Sequence, residues 1–165
     1  MTGTGPTAIQ ATDRILVRVL PDVLEYVQAN CAAGGVFSHP GHALERCIAI
    51  LRLEHQALEA HCRATRRPLD PGAFAKLYEA DLAATTPGKP GRPPRDQPQG
   101  IARLRLHGNV AVEILDWARA TLVEAGPFET MSQVAEVAVR RHRRRPVPPF
   151  DEAALVAEYE RHAQR

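Results

Sequence analysis

The sequence predicts a mainly helical protein with two short β-strands, each of which opens one copy of a repeated structural unit. Apolar and basic side chains alternate over residues 14–19 and again over residues 102–106. Because successive side chains of a strand point to opposite faces, each strand has one apolar face and one basic face. We expect a core-facing set of Ile15, Val17, Val19, Ala102, Leu104 and Leu106 and an outward-facing set of Arg14, Leu16, Arg18, Arg103 and Arg105.

The same succession of signals follows each predicted strand, which indicates an internal repeat of strand, helix, turn and helix. In each copy a helical run is ended by glycine, a phenylalanine follows, and a second helical run begins. In the first copy the helical runs begin at Pro21 and about His39, and the turn between them contains Gly34, Gly35 and Phe37. In the second copy they begin at Val110 and Met131, and the turn contains Gly126, Pro127 and Phe128.

The spacing between matching residues of the two copies is not constant. Phe37 and Phe128 are 91 residues apart, whereas Asp22 and Asn109, which follow the predicted strands, are 87 residues apart. The difference predicts that the first helix of the second copy is about one turn longer than that of the first. Such an asymmetry also predicts a binding target without perfect twofold symmetry.

Proline, glycine and charge divide the 165-residue chain into successive segments. A long helix ends before Pro68, and Asp70 begins a short helix outside the repeat. Residues 84–100 lack periodicity and are dense in Pro and Gly, which is typical of a linker. The expected organisation is a disordered tail at 1–12, a first unit at 13–66 with an extended second helix, a bridging helix at 70–83, a basic linker at 84–100, a second unit at 101–145 and a C-terminal helix at 150–165.

The composition argues against a disulfide-rich secreted protein and against a membrane-spanning protein. The formal net charge is only +2, so the distribution of charge matters more than its total. Three cysteines, an odd number, argue against a disulfide framework, and no secretory signal is visible. No apolar run approaches the roughly 20 residues needed to cross a bilayer. We expect a cytoplasmic protein that does not bind membranes.

The sequence has no motif that indicates catalysis. It contains neither a glycine-rich phosphate loop before Lys-Ser or Lys-Thr nor a G-x-S-x-G motif. His55, His61 and Cys62 lie close together in the sequence, but only His55 and Cys62 approach one helical face, and a fourth zinc ligand is missing. We therefore expect no enzymatic activity, no cofactor and no bound metal.

The order of strand, helix, glycine turn and helix resembles the ribbon-helix-helix family of bacterial DNA-binding proteins, the Arc, MetJ and CopG type. The resemblance covers about Arg14 to His55 and Ile101 to Arg145. It implies that the two strands pair as an antiparallel ribbon that enters the major groove of DNA. Because both copies lie in one chain, the resemblance implies a tandem pseudodimer that is monomeric in solution, an arrangement similar to accessory proteins of conjugative DNA transfer.

The resemblance also implies which residues contact DNA. Base contacts fall on the outward strand positions Arg14, Leu16, Arg18, Arg103 and Arg105, and phosphate contacts fall on the helix N-termini at Ser38, His39, Thr130 and Met131. Glu129 stands beside the second of these termini, where it would repel phosphate. The alternative for the strands is a solvated edge whose charges discourage aggregation.

Two basic segments are further candidates for DNA contact. The run 140–145 holds five arginines, and Arg143 and Arg144 are assigned to phosphate contact; favourable placement at a helix C-terminus is the alternative. In the linker, a Gly-Arg-Pro step resembles the AT-hook, which implies a minor-groove arm, with a plain flexible linker as the alternative. The residues of that arm are Lys89, Arg92 and Arg95.

These observations predict a sequence-specific double-stranded DNA-binding protein, encoded by a bacterium, phage or plasmid and associated with the nucleoid when bound. It acts as a transcriptional repressor or as an accessory protein at a transfer or partition site. The alternative is a protein-interaction module, in which the helix at 70–82 and the helix after Pro149 hold a relaxase, a toxin or further copies of the chain.

Overall fold

The computed structural model describes residues 11–85, 103–144 and 151–164. It is mainly helical and contains a two-stranded antiparallel sheet, as predicted. The elements in chain order are β1 (Thr12–Val19), α1 (Pro21–Cys31), α2 (Pro40–Ala64), α3 (Pro71–Leu77), α4 (Glu79–Thr85), β2 (Leu104–Ala111), α5 (Val112–Ala118) with a π-helical continuation (Arg119–Glu124), α6 (Met131–Arg144) and α7 (Glu152–Ala163).

The two strands pair over their whole length, with Leu16 opposite His107 at the centre. The alternation of β1 is confirmed, since its predicted core side chains are buried and the outward ones are exposed. In β2, Leu106 is buried as predicted. Leu104 is 40% exposed, because it is the first residue of the strand and lies at the open end of the ribbon. Ala102 lies outside the described residues.

Strand β2 runs five residues further than the sequence predicted. The sequence predicts a strand that ends at Leu106, followed by Asn109 and a helix from Val110, yet Gly108, Asn109 and Val110 all pair with β1. The apolar pattern explains this difference, because Val110 continues the inner face after Leu106 and Gly108, and Ala111 at the end of the strand is also fully buried. Helix α5 consequently begins at Val112.

Each long helix packs on the strand that is more distant from it in the sequence. Helix α2 lies against β2, helix α6 lies against β1, and the two helices pack on each other beneath the ribbon. Their shared core contains the fully buried side chains of Leu44, Ile48, Val134 and Val137. An isolated two-stranded ribbon is marginal in water, so this helical layer is what stabilises it.

Hydrogen bonds at the two strand ends recur at a spacing of 91 residues. The N–H of Leu20 donates to Glu136 Oε1 at 2.6 Å, and the N–H of Ala111 donates to Glu45 Oε1 at 2.7 Å. Positions 20 and 111 differ by 91, as do positions 45 and 136. Helices α1 and α5 also begin 91 residues apart, at positions 21 and 112. The predicted extra turn in the second copy is therefore wrong, because Asn109 belongs to β2.

The segments outside the repeat add three helices to this layer. The predicted bridging helix is two helices, α3 and α4, and it extends to Thr85, two residues beyond its predicted end at 83. Asp70 caps α3 as expected, because its carboxylate accepts the N–H groups of Gly72 and Ala73. Helix α7 packs on α3 and α2, and the Tyr159 hydroxyl accepts the N–H of Asp70 at 2.8 Å.

A buried ion pair ties α6 to α2. Arg141 Nη2 lies 2.8 Å from Glu54 Oε2, and both side chains are almost completely buried. The Tyr78 hydroxyl donates to the same carboxylate at 3.3 Å, and the Arg141 guanidinium stacks over the Tyr78 ring. Burial by itself would lower the pKa of Arg141, but Glu54 and Tyr78 raise it above the ordinary value. The ion pair therefore favours the charged form of the guanidinium.

Two glycines allow α2 to approach β2 closely. A Cβ atom on Gly108 would lie 2.4 Å from the Cα of Gly41, and a Cβ on Gly41 would lie 2.6 Å from the carbonyl oxygen of Asn109. Both contacts involve backbone atoms, which cannot rotate away as a flexible side chain can. The N-terminus of α2 therefore rests directly on the strand.

We expect Gly108→Ala to destabilise the protein by about 1–3 kcal/mol, because the added methyl group overpacks this contact. Gly72→Ala is the matched control, since its Cβ would meet only the Asp70 side chain, at 3.3 Å. Urea denaturation of both variants measures the difference. Equal midpoints for Gly108→Ala and the wild type would mean that α2 does not rest on the strand in this way.

No helix in the described ranges combines the length and the apolar character needed to cross a membrane.

Candidate nucleic-acid interface

The outward face of the ribbon presents six exposed side chains in three opposed pairs. Arg18 lies opposite Arg105 at one end of the ribbon, Leu16 opposite His107 at the centre, and Arg14 opposite Asn109 at the other end. Directly opposed residues of an antiparallel pair hold their Cβ atoms about 4.5–5.5 Å apart, so the six side chains form one continuous surface. We call this surface the ribbon face.

The arginines of the ribbon face have no counter-charge within the described part of the chain. No ion pair or side-chain hydrogen bond among the described residues engages the guanidinium of Arg14, Arg18 or Arg105. Like charges directly opposed across two strands are destabilising, as Arg18 and Arg105 are here. Leu16, 56% exposed, lies between the charged ends. The ribbon face therefore contains two features that are unfavourable in the free protein, which are the repulsion between opposed arginines and an exposed leucine.

A shallow concavity of about 490 Å³ lies on the ribbon face. Arg14, Leu16, Arg105 and His107 line it. Guanidinium groups donate hydrogen bonds in a fixed fork, the imidazole donates or accepts one, and the leucine offers an apolar contact. This set of groups suits a surface that carries negative charge and hydrogen-bond acceptors, such as the edges of base pairs.

Arg103 departs from the predicted arrangement. It precedes β2, and its guanidinium forms an ion pair with Glu136 at 3.2 Å and donates to the backbone carbonyl of Thr85. Burial raises the pKa of Glu136, whereas the Leu20 N–H and Arg103 lower it. The buried carboxylate thus holds Arg103 at the end of the ribbon, and its expected position beside Arg105 on the outward face is wrong.

The two long helices begin beside the ribbon. At α6 the Ser132 hydroxyl accepts the N–H of Arg18 at 3.0 Å, and at α2 the backbone of Gly41 touches that of Asn109. Asn109 lies opposite Arg14, and Arg14 is four residues from Arg18 on β1. The contact with α6 and the contact with α2 are therefore about 13 Å apart along the strands. Both helix N-termini therefore flank the ribbon face.

The caps of these two helices match each other at a spacing of 91 residues. His39 Nδ1 accepts the N–H of His42 at 3.1 Å, and Thr130 Oγ1 accepts the N–H of Gln133 at 3.2 Å. The N-cap of α2 is thus His39, and the N–H of the preceding Ser38 donates to His42 Nδ1. In the same way the N–H of Glu129 donates to Gln133 Oε1.

The helix termini differ in the N–H groups that they leave available. Residues Met131 and Ser132 have backbone N–H groups without a partner among the described residues, whereas Pro40 has no N–H at the corresponding position of α2. A positive helix end with exposed N–H groups attracts an anion. Exposed Glu129 remains a nearby negative charge, as the sequence indicated.

The arginines of α6 each lie near an acidic side chain of another helix. Arg140 binds Asp22 through two hydrogen bonds, and Arg144 lies 2.5 Å from Asp81. Arg143 lies 3.7 Å from Asp22 and over the Tyr26 ring. Burial raises the pKa of Asp81, while Arg144 and Arg141 lower it. Phosphate contact by Arg143 and Arg144 stays a prediction, and it requires these ion pairs to open.

The histidines and the cysteine considered for zinc have separate partners. His55 packs edge-on against the rings of Phe74 and Trp117, His61 lies 2.7 Å from Glu160, and Cys62 contacts the Tyr159 hydroxyl. Within the described residues, no group of three metal-ligating side chains comes together. The arm residues Lys89, Arg92 and Arg95 lie outside the described residues.

Sequence reasoning missed His107 and Asn109 as members of the ribbon face. The signal was present, because polar residues continue at every second position after Arg105 while apolar or small residues fill the alternate ones. Gly108 obscured it, since glycine next to asparagine is typical of a turn. Close packing against Gly41 is the reason that a glycine stands within this strand.

Comparison of the chain with protein-family models, with curated proteins and with solved structures finds no match in any of the three.

Proposed function

We propose that the protein binds double-stranded DNA sequence-specifically by inserting the ribbon face into the major groove. The observation that carries the proposal is the set of three arginines, Arg14, Arg18 and Arg105, which lack partners among the described residues. The major groove admits a two-stranded ribbon, and arginine there pairs bidentately with guanine. Repression of transcription and the marking of a transfer or partition site are the two roles that we propose for this mode of binding.

The 91-residue spacing supports a tandem ribbon-helix-helix pseudodimer. Strand ends, helix starts, caps and the buried carboxylates of Glu45 and Glu136 all recur at that spacing. In such a pseudodimer each strand pairs with that of the other copy, and each second helix packs beneath it. One chain then supplies the complete ribbon, so we propose a monomer in solution.

The helix N-termini that flank the ribbon face also support its insertion into the major groove. They lie about 13 Å apart along the ribbon, close to the roughly 12 Å width of the major groove. Phosphates line both edges of that groove, and a helix N-terminus attracts a phosphate. The α6 terminus, with the N–H groups of Met131 and Ser132, fits this role best.

The alternative, a protein-interaction module, requires an exposed apolar surface on the helices outside the repeat, such as α3 and α7. The large apolar side chains of α3 and α7 instead pack in the core, among them Phe74, Leu77, Leu155 and Tyr159. The ribbon face is a stronger candidate surface. A gel shift with genomic fragments separates the two, because an interaction module gives no discrete shifted species.

Arg105→Ala tests the base contact directly. We expect the substitution to weaken binding to the preferred duplex by roughly 1–3 kcal/mol and to relax the choice of base at one position. The free energy of unfolding should change by no more than about 0.5 kcal/mol, because the side chain is exposed. Selection of duplexes from a random pool, followed by titration of matched and mismatched DNA, measures both affinities.

Leu106→Ala is the matched control, one residue away on the buried face. It should lower stability by roughly 2–5 kcal/mol through the cavity that it leaves, with base preference unchanged in the folded protein. Equal weakening of matched and mismatched duplexes by Arg105→Ala would make this residue a phosphate contact. A failure of the wild type to enrich any duplex would contradict the proposed function itself.

A further inference from the structure

The two ends of the ribbon face carry different chemistry. Positions 91 residues apart are equivalent in the repeat, which relates Arg14 to Arg105, Leu16 to His107 and Arg18 to Asn109. Only the first of these three pairs is identical. One end of the face therefore holds two guanidinium groups, from Arg18 and Arg105, and the other holds one, from Arg14, beside the amide of Asn109.

Each of these side chains has its own complement among base-pair edges. Arginine matches the two acceptors of guanine, and asparagine matches the acceptor and donor of adenine. At the centre, Leu16 suits a thymine methyl group, while His107 offers one hydrogen bond to a purine acceptor. A symmetric DNA site cannot satisfy both ends, since each end requires different bases.

We propose that the protein recognises a non-palindromic duplex in one fixed orientation, with Asn109 and His107 as the residues that determine it. This inference rests on the proposed DNA-binding function. The half-site beneath Arg18 and Arg105 contains two guanines, and the half-site beneath Arg14 and Asn109 contains one guanine and one adenine. The asymmetry comes from the ribbon face itself and not from an extra turn in the first helix of the second copy, because α1 and α5 begin 91 residues apart and Phe37 and Phe128 have the same spacing.

Selection from a random duplex pool, using the full chain, tests the proposal. We expect the wild type to enrich a motif whose two halves differ. The double variant His107→Leu/Asn109→Arg makes the two ends alike and should enrich a dyad-symmetric motif rich in guanine. The reciprocal variant Leu16→His/Arg18→Asn should also enrich a symmetric motif, with adenine in both halves. All four side chains are exposed, so thermal melts should resemble that of the wild type.

A second measurement needs only the wild-type protein. Each half of the selected motif is built into a dyad-symmetric duplex, and both should bind roughly 5- to 150-fold more weakly than the selected duplex, because one or more contacts are mismatched. A palindromic wild-type motif, equal affinity for a symmetrised duplex, or an unchanged motif in both double variants would overturn the inference and leave the DNA-binding function intact. Enrichment of no duplex at all would overturn the proposed function, and the inference with it.

Discussion

Simultaneous replacement of Arg14, Arg18 and Arg105 by alanine is expected to abolish specific DNA binding. Each bidentate arginine contact contributes roughly 1–3 kcal/mol of discrimination between bases, so the loss of three weakens the preferred duplex by at least about a hundredfold. Stability should stay the same or rise slightly, because the opposed arginines of the free protein no longer repel each other. Fluorescence anisotropy with the selected duplex and a thermal melt measure the two effects.

A control variant of equal charge separates specific recognition from bulk electrostatics. Arg63, Lys76 and Arg161 are exposed, lie off the ribbon and form no ion pair among the described residues. Their triple replacement by alanine removes the same net charge and should leave the choice of base intact. If both triple variants weaken matched and mismatched DNA to the same extent, binding depends on net charge and the ribbon face does not contact bases.

The largest expected change in stability comes from Arg141→Ala. The substitution leaves the Glu54 carboxylate buried and without its ion-pair partner, which should cost about 3–5 kcal/mol. Glu54 also accepts a hydrogen bond from the Tyr78 hydroxyl, but this neutral donor cannot replace the positive charge of the guanidinium. Urea denaturation at neutral pH measures the loss.

Two comparisons identify the cause of that loss. Arg143→Ala removes a half-exposed arginine whose carboxylate partner is also half-exposed, and it should cost less than about 1 kcal/mol. The double variant Arg141→Met/Glu54→Leu removes both buried charges and should recover most of the stability. Equal effects of Arg141→Ala and Arg143→Ala would contradict a special role for the buried pair.

Local sequence signals were sufficient to predict β1, α2 and α6. Helix α2 follows from apolar residues at helical spacing over seven turns, and α6 follows from a cap at Thr130 and a proline at 146. The inward face of β1 follows from strict alternation. These patterns are local, so each segment carries its own signal.

The far end of β2 and the position of Arg103 depend on contacts between distant segments. Gly108 lies in a strand because α2 packs against it, and Arg103 is held by Glu136, 33 residues further along the chain. The arginine run is similar, since its partners Asp22, Glu54 and Asp81 come from three other helices. No local pattern indicates which carboxylate will meet which guanidinium.

Because the ribbon joins β1 to a strand that begins at Leu104, it cannot form before β2 has been synthesised. At synthesis rates of about 5–20 residues per second, β1 waits roughly 6–25 s before α6 is complete. During this interval β1 is an unpaired strand with a row of apolar side chains, which invites pairing with a neighbouring nascent chain. Arg14 and Arg18 place two like charges on that strand, so we expect the residues proposed to contact bases also to discourage aggregation of the unfinished chain.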